Sequence, residues 1–313
     1  MRYRLLLLLA VVVACVSLAM TGSHLKFRYD IGKAHAHLPP SSASYLGVFK
    51  PGVPPNYAPI AQFARTVGKQ PNLVGYYSGW AQPFPSSFAD KLYSHHSIPY
   101  IQIDPAYASV SDVAAGIYDG YLRTYADSVR DFGHPVVIGF GHEMNAPWYS
   151  WGYGHARPAT FVRAWRHVVQ LFRYEGADNV TWLWTINQDG PKTGHIASWW
   201  PGREYVTWVG IDGYYIHRSD TFDSVFGPTI DQVRKITRRP ILLSETAVGP
   251  SADRLGSITN LFNGIAKYRT LGLVWFDYKQ DKGVDQEDWQ IEGNSPAVNA
   301  FSLGADHLNL VKP

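Results

Sequence analysis

The chain contains the stretch Val136-Val137-Ile138-Gly139-Phe140-Gly141-His142-Glu143-Met144-Asn145, which is followed by Trp148 and Trp151. Its first half is apolar and rich in β-branched residues, which predicts a buried strand. The strand runs into a histidine, a carboxylate and an amide, and this indicates chemistry at its carboxyl end. A second apolar run, Ile241 to Ser244, ends in the same way at Glu245. We therefore expect Glu143 and Glu245 to face each other across one site.

Short apolar runs alternate with amphipathic runs over the central part of the chain. The apolar runs predict eight strands, at Tyr45–Phe49, Leu73–Tyr77, Pro99–Ile103, Val136–Phe140, Val180–Ile186, Val206–Tyr214, Ile241–Ser244 and Leu271–Phe276. Apolar residues at three- and four-residue spacing predict helices between them, at Tyr57–Gly68, Ser86–His95, Val113–Phe132, Pro158–Tyr174, Ile230–Thr237 and Asp253–Tyr268, with a short turn around Trp199–Tyr205. No Gly-rich nucleotide fingerprint follows the first strand, so the pattern favours a single (β/α)₈ TIM barrel over an open doubly wound sheet.

The amino-terminal residues resemble a targeting segment. Arg2 and Arg4 precede the largely apolar run Leu5 to Met20, and small residues follow it, which predicts a signal peptide or an N-terminal anchor over residues 1–22. Cys15, the only cysteine, lies in this run, where lipidation is an alternative to cleavage. We expect residues 23–44 to form a flexible linker, 45–304 the catalytic barrel and 305–313 a tail. The expected location is outside the cell, either secreted or tethered to the envelope.

The charge and the aromatic content of the chain limit the kinds of molecule that it is expected to bind. The formal net charge is +3, and without the two arginines of the leader the chain is close to neutral, which argues against nucleic acid. The 11 Trp, 20 Tyr and 14 Phe residues exceed what a core needs, and sugars are one ligand class that stacks on such rings, although an aromatic-rich core is the commoner explanation. We expect a monomer that binds a polysaccharide or oligosaccharide and meets a membrane only through its amino-terminal anchor.

The two glutamates are the candidate catalytic groups. A pair of carboxyls cleaves an acetal when one is protonated and the other ionised, whereas a lone glutamate at a strand end is more often an ion-paired surface residue. Strand alternation places Val137, Gly139, Gly141 and Glu143 on one side, with room for a bulky group above the glycines, and it places Ile241, Leu243 and Glu245 on one side of the other strand. The zinc helix motif would need a second histidine where Ala146 stands, so we expect neither a metal nor another cofactor.

Further polar and aromatic residues follow the predicted strands or lie beside Glu143. Because the carboxyl ends of barrel strands meet at one mouth, we expect these residues to bind the substrate. The candidates are Trp80, Asp104, His142, Trp148, Trp151, Asn187, Asp212, Tyr214 and Trp275.

The motifs resemble those of glycoside hydrolase family 26. The resemblance covers about Tyr45 to Ala300 and is carried by Gly141 to Asn145 with Trp148 and Trp151, Trp182 to Asn187, Trp200 to Tyr214, Pro240 to Thr246, and Leu273 to Phe276 followed by Asp288-Trp289. It implies a clan-A barrel and a retaining, two-step mechanism. By motif match, Glu143 would be the general acid/base and Glu245 the nucleophile. Tyr214 would hydrogen-bond the nucleophile, His142 and Trp148 would shape the sugar site, and Trp275 would be an aromatic platform.

The commonest activity that this resemblance implies is endo-acting hydrolysis of β-1,4-mannan. Hydrolysis of mixed-linkage β-1,3-1,4-glucan or β-1,3-xylan is the alternative. A histidine expected near the end of the third strand in many mannanases is replaced by the stretch Ile101-Gln102-Ile103-Asp104, which weakens the expectation for mannan. A non-catalytic carbohydrate-binding barrel would usually lack one carboxylate of the pair, and a metal-dependent hydrolase would lose activity with a chelator.

Overall fold

The computed structural model describes residues 44–281 and 287–312. Within them eight parallel strands pair in chain order, and β8 pairs with β1, so the sheet closes into a barrel. The strands are β1 Tyr45–Phe49, β2 Leu73–Gly79, β3 Ile98–Asp104, β4 Val136–Phe140, β5 Val180–Asn187, β6 Trp208–Asp212, β7 Ile241–Thr246 and β8 Gly272–Phe276. Each of the eight predicted strands is present, and the expectation of a (β/α)₈ barrel is confirmed.

Helices connect successive strands around the outside of the barrel. They are α1 Ala58–Val67, α2 Ser86–Ser94, α3 Val110–Ala114, α4 Asp119–Phe132, α5 Pro158–Tyr174, α6 Phe222–Val225, α7 Gly227–Ile236, α8 Arg254–Tyr268 and α9 Ser295–Asp306, with two short 3₁₀ helices at Ile196–Trp199 and Arg203–Tyr205. The predicted helix Val113–Phe132 is in fact two helices, because Gly116 adopts a left-handed conformation (φ +78°) between them. Helix α9 was not predicted, since three of its four buried residues are alanines, which give a weak apolar signal.

The barrel interior changes character from one end to the other. Towards the amino-terminal ends of the strands it is filled by apolar and aromatic side chains, including Tyr45, Leu73, Val137 and Trp208. Towards the carboxyl ends, buried polar residues replace them: Gln102, Thr185, Asp212 and Ser244. Burying polar groups costs free energy unless they are hydrogen-bonded, and apolar side chains would fill this end of the barrel at a lower cost. The polar layer therefore indicates a functional site at the carboxyl ends of the strands.

Strand β7 departs from regular alternation. Ile241 and Leu243 pack in the outer core between sheet and helices, whereas Leu242 packs inside the barrel. The pairing with β6 and β8 shifts register after Leu243, an irregularity of the β-bulge type. The prediction that Ile241, Leu243 and Glu245 share one side is therefore wrong, and the shift is what lets Glu245 reach the interior.

The predicted leader (residues 1–22) and residues 23–43 of the predicted linker lie outside the described residues. In the described part of the chain, no helix combines the length and the apolar character needed to cross a membrane. Helix α9 continues to Asp306, two residues past the predicted end of the barrel domain.

Candidate active site

A strained turn carries the first glutamate over the barrel mouth. Gly141 and Glu143, directly after β4, have φ values of +56° and +52°, and a positive φ is uncommon for a glutamate. The neighbouring strands hold this turn, because the Gly141 N–H donates to the Ile103 carbonyl (2.9 Å) and the Glu143 N–H donates to the Thr185 carbonyl (3.0 Å). Strain that is held by the surroundings is characteristic of functional sites.

Two donors fix the carboxyl group of Glu143. The Trp148 indole N–H donates to its Oε2 at 2.6 Å, and the Asn187 amide donates to its Oε1 at 2.8 Å. Asn187 is itself held by Asn145, since the two residues exchange hydrogen bonds of 2.9 Å between side chain and backbone. The side chain of Trp148 is 36% exposed, so this indole lies at the rim with its N–H directed inward.

The second glutamate is held by two phenols. Tyr77 donates a short hydrogen bond to Oε1 of Glu245, and Tyr214 donates to Oε2 at 2.9 Å. Burial and the charge of Glu143 raise the pKa of Glu245, His142 and the two phenols lower it, and the net result is a pKa of about 7. The ring of Tyr77, which donates to Glu245, lies 5.4 Å from that of His142, the neighbour of Glu143, so the structure brings the two carboxyls together at the same end of the barrel.

His142 supplies a positive charge beside them. It is buried, its Nδ1 lies 2.8 Å from Asp104 Oδ1, and its Nε2 lies 3.1 Å from the Tyr149 hydroxyl. Burial alone would lower the pKa of His142, but the Asp104 carboxylate outweighs that effect and raises it to about 9. The imidazole is therefore protonated at neutral pH, and its charge favours the ionised form of Glu245.

A polar layer supports the site from beneath. Asp212 is fully buried and accepts a hydrogen bond from the Ser244 hydroxyl, and burial raises the pKa of this carboxyl well above its ordinary value. The Gln102 amide donates to Thr185 Oγ1 at 2.9 Å and occupies the space that a side chain at Gly139 would need. The predicted room above the glycines is thus filled, by Gln102 at Gly139 and by Phe161 and Trp151 at Gly141.

Three of the predicted substrate-binding residues are buried away from the mouth. Asp212 is completely buried in the polar layer. Trp151 is 3% exposed, donates to the His142 carbonyl and stacks on Tyr149. These two predictions of substrate contact are wrong, and Trp275 is the third. Trp80, which follows β2, is partly buried and packs against Tyr118 and Tyr121, and its contact with substrate stays a prediction.

Trp275 points away from the mouth. Its ring is fully buried and packs against Phe301 of α9, because Val274 occupies the interior position on β8 and alternation turns Trp275 outward. The next residue, Phe276, faces the mouth instead. Its ring lies 5.9 Å from that of Tyr214 and stacks on Tyr278 at 4.7 Å.

The remaining predicted residues, Asp104, His142, Trp148, Asn187 and Tyr214, do lie around the two glutamates. Sequence reasoning missed Tyr77, Tyr149 and Phe276. A signal for Tyr77 existed, because it ends the predicted second strand on the same face as Leu73 and Gly75. Tyr149 lies in a loop, and no periodicity indicates its direction.

The arrangement suits acid–base and nucleophilic chemistry. One carboxyl is buried between two phenols and the other is held near the rim by an indole and an amide. Across residues 44–281 and 287–312, no cluster of three or more histidine, cysteine, aspartate or glutamate side chains could hold a metal ion.

Paired glutamates at the carboxyl ends of β4 and β7 in a closed (β/α)₈ barrel define a glycoside hydrolase type of protein. The model of glycosyl hydrolase family 26 matches residues 94–302. The chain belongs to this family.

Relatives of the chain differ in the substrate that their names give. Endoglucanase H of Acetivibrio thermocellus is 27% identical over 278 residues, which cover 82% of this chain and 30% of the relative. Mannan endo-1,4-beta-mannosidase A and B of Caldalkalibacillus mannanilyticus is 30% identical over 195 residues, which cover 58% of this chain and 36% of the relative. The chain therefore spans about a third of the length of these curated relatives.

A solved structure shares the fold. The mannanase BCman of Bacillus subtilis superposes with a TM-score of 0.63 at 19% identity, and the match covers 86% of each chain. At this level of identity the likeness concerns the architecture of the barrel.

Proposed function

We propose that the protein is a retaining endo-β-glycosidase. Glu245 attacks the anomeric carbon of the sugar while Glu143 gives its proton to the oxygen of the departing sugar. Glu143 then takes a proton from a water molecule, whose oxygen displaces Glu245 and completes the hydrolysis. The observation that carries this proposal is the unlike environment of the two carboxyls, together with the family's motif match.

The hydrogen bonds support this division of roles. Two phenol donors stabilise the ionised form of Glu245, which is the form that a nucleophile needs. The cationic His142 acts in the same direction. Glu143 lies beside the exposed indole of Trp148, at the rim, where a departing sugar and an incoming water can both reach it.

Three polymers are candidate substrates, and the first two each have their own support. A β-glucan is favoured because the match to an endoglucanase spans 82% of the chain. The stretch Ile101-Gln102-Ile103-Asp104 lacks the histidine that many mannanases would have near the end of the third strand, which weakens the case for mannan. A β-1,4-mannan is favoured by the shorter match to a mannanase, which has the higher identity. We rank β-glucan first and so reverse the order that the motifs alone gave; β-1,3-xylan remains the third choice.

Export is part of the proposal. The basic residues Arg2 and Arg4 followed by an apolar run support either secretion or tethering to the envelope, where a polysaccharide substrate would be encountered.

Product release by purified protein lacking residues 1–40 tests the proposal on β-glucan, mannan and β-1,3-xylan, with Glu245→Ala as the control. Activity on one polymer that the variant lacks would support both the class and the substrate. A folded wild-type protein that releases nothing from any β-glycan, yet binds one of them, would overturn the proposal in favour of a carbohydrate-binding barrel.

A further inference from the structure

A cluster of three charged residues, two of them buried, lies beside the active site and takes no part in the reaction described above. Lys50 directly follows β1, Asp277 directly follows β8, and Glu292 lies further along the loop after β8. The Lys50 ammonium forms a short ion pair with Asp277 and a second ion pair, at 2.7 Å, with Glu292. The side chains of Lys50 and Asp277 are 7% and 0% exposed, so these charges are withdrawn from water.

The cluster fastens a segment of chain, residues 287–292, to the ends of β1 and β8. The Ile291 N–H donates to Asp277 Oδ1 at 2.8 Å. The Trp275 indole, turned outward from β8, donates to the same oxygen and to the Trp289 carbonyl, each at 3.2 Å. With the Lys50–Glu292 pair, these bonds fix the backbone from the Trp289 carbonyl to Glu292.

Trp289 in turn packs against a residue of the active site. Its ring is completely buried, and its centroid lies 4.7 Å from the ring centroid of Tyr214. The Tyr214 hydroxyl donates to Glu245 Oε2 at 2.9 Å. A continuous set of contacts therefore runs from Lys50 through residues 287–292 to the proposed nucleophile.

We propose that Lys50, together with Asp277 and Glu292, is a positioning device that keeps Trp289 against Tyr214 and so keeps the Tyr214 hydroxyl on Glu245. We call these three residues the Lys50 clamp. The catalytic role of the clamp rests on the proposed function. Its effect on the environment of the Glu245 carboxyl does not depend on the substrate.

The first test measures the pKa of Glu245 directly, by carbon-13 NMR of full-length protein labelled at the glutamate carboxyls. Lys50→Met keeps the length of the side chain and removes its charge. Losing part of the hydrogen bond from Tyr214 raises the pKa of Glu245 by about 0.7 pH units. The groups that face Glu245 are unchanged in this variant: Tyr77, His142, Glu143, Asp212 and Tyr214.

A second background separates positioning from any other effect of the lysine. In Tyr214→Phe protein the hydroxyl is already absent, so Lys50→Met has nothing further to displace and leaves the pKa of Glu245 unchanged. An equal rise in both backgrounds would overturn the proposal, because Lys50 would then act without Tyr214.

Glu292→Met keeps the Lys50–Asp277 ion pair and tests the direction in which the pKa of Glu245 shifts. Removing a nearby negative charge would by itself lower the pKa of Glu245, whereas loosening the clamp raises it. A rise supports the clamp, and a fall or no change overturns it. If Lys50→Met does not fold, as judged by circular dichroism, this variant decides the matter.

A matched control comes from a surface pair. Lys69 and Asp306 form an ion pair of 3.3 Å that joins the end of α1 to α9 on the outside of the barrel. Lys69→Met should leave the pKa of Glu245 unchanged. With a cleaved substrate in hand, Lys50→Met should lower kcat about threefold at pH 7 with little change in KM, because a rise of about 0.7 pH units from a pKa of about 7 lowers the ionised fraction of Glu245. Wild-type protein that cleaves no glycan would refute the proposed function, and the NMR titration would still decide for or against the clamp.

Discussion

Tyr77 offers the sharpest perturbation of the proposed nucleophile. Tyr77→Phe removes one of the two phenol donors to Glu245 and leaves the ring that stacks on Phe49 at 5.1 Å. A hydrogen bond to a charged group contributes about 1.5–3 kcal/mol, and one pH unit corresponds to about 1.4 kcal/mol. The pKa of Glu245, about 7 in the intact site, should therefore rise by about 1 to 2 pH units.

The sign of the kinetic effect follows from the ionisation of the carboxyl. Glu245 must be ionised to attack, so the acid limb of kcat/KM should move upward with its pKa. At pH 7 the rate should fall about 5- to 50-fold, and it should recover towards the wild-type value as the pH approaches 9. An aryl β-glycoside with a good leaving group suits the assay, because it needs little help from the acid Glu143.

Tyr76→Phe is the matched control for this experiment. Tyr76 precedes Tyr77 on β2, but its ring faces outward against Phe88 of α2. Removing its hydroxyl should leave the pH profile where it was. If Tyr77→Phe slows the reaction equally at every pH, the Tyr77 hydroxyl does not set the pKa of Glu245.

Three further predictions concern the same site. Glu143→Ala should abolish cleavage of the polysaccharide and spare the first step on aryl glycosides with good leaving groups; equal losses on both substrates would count against its role as the acid. Glu245→Gln should raise the free energy of unfolding by roughly 3 kcal/mol at pH 8 and hardly change it at pH 4. The pKa of Glu245 is about 7 in the folded protein and 4.5 in the unfolded chain, so the cost of burying the ionised carboxyl appears as the pH rises through this range. Denaturation curves at the two pH values measure this effect, and equal changes at both would contradict it. Asp104→Asn should lower thermal stability at pH 6 and have little effect at pH 10, since the pKa of His142 is raised to about 9 by Asp104 and the stability that it contributes is lost as pH rises through 9; a loss of the same size at both pH values would show that the hydrogen bond matters and the charge does not.

The barrel could be predicted from the sequence because its strands are buried on both faces. Near-continuous apolar runs such as Val136–Phe140 and Tyr45–Phe49 occur as strands with the predicted bounds. Helix α9 was not predicted, because its buried face is mostly alanine. Alanines pack well only where the neighbouring element comes close, and the spacing of apolar residues along the sequence does not show this.

The two glutamates could also be found, since each follows a buried strand. The direction of each neighbouring side chain was harder to predict, because a shift of one residue moves a side chain to the other face. On β7 the register shift lets the Glu245 side chain reach the barrel interior, whereas strict alternation would have turned it outward. On β8 alternation holds, and it places Phe276 at the mouth where Trp275 was expected.

The directions of the loop side chains at this site could not be predicted from the sequence. Trp148 and Trp151 are three residues apart, yet one indole reaches Glu143 at the rim and the other is buried on Tyr149. That difference depends on a turn with positive φ at Glu143 and on hydrogen bonds to neighbouring strands. The long-range contacts that decide it leave no local pattern in the sequence.

In the proposed mechanism Glu245 forms a covalent bond to the sugar. This bond can be trapped by inactivating the protein with a 2-deoxy-2-fluoro β-glycoside that carries a good leaving group, and the added mass can then be located by peptide mass spectrometry. We expect one glycosyl group per molecule on the peptide that contains Glu245, with no labelling of Glu245→Gln protein. Inactivation with the sugar attached to any other residue would contradict the proposed mechanism.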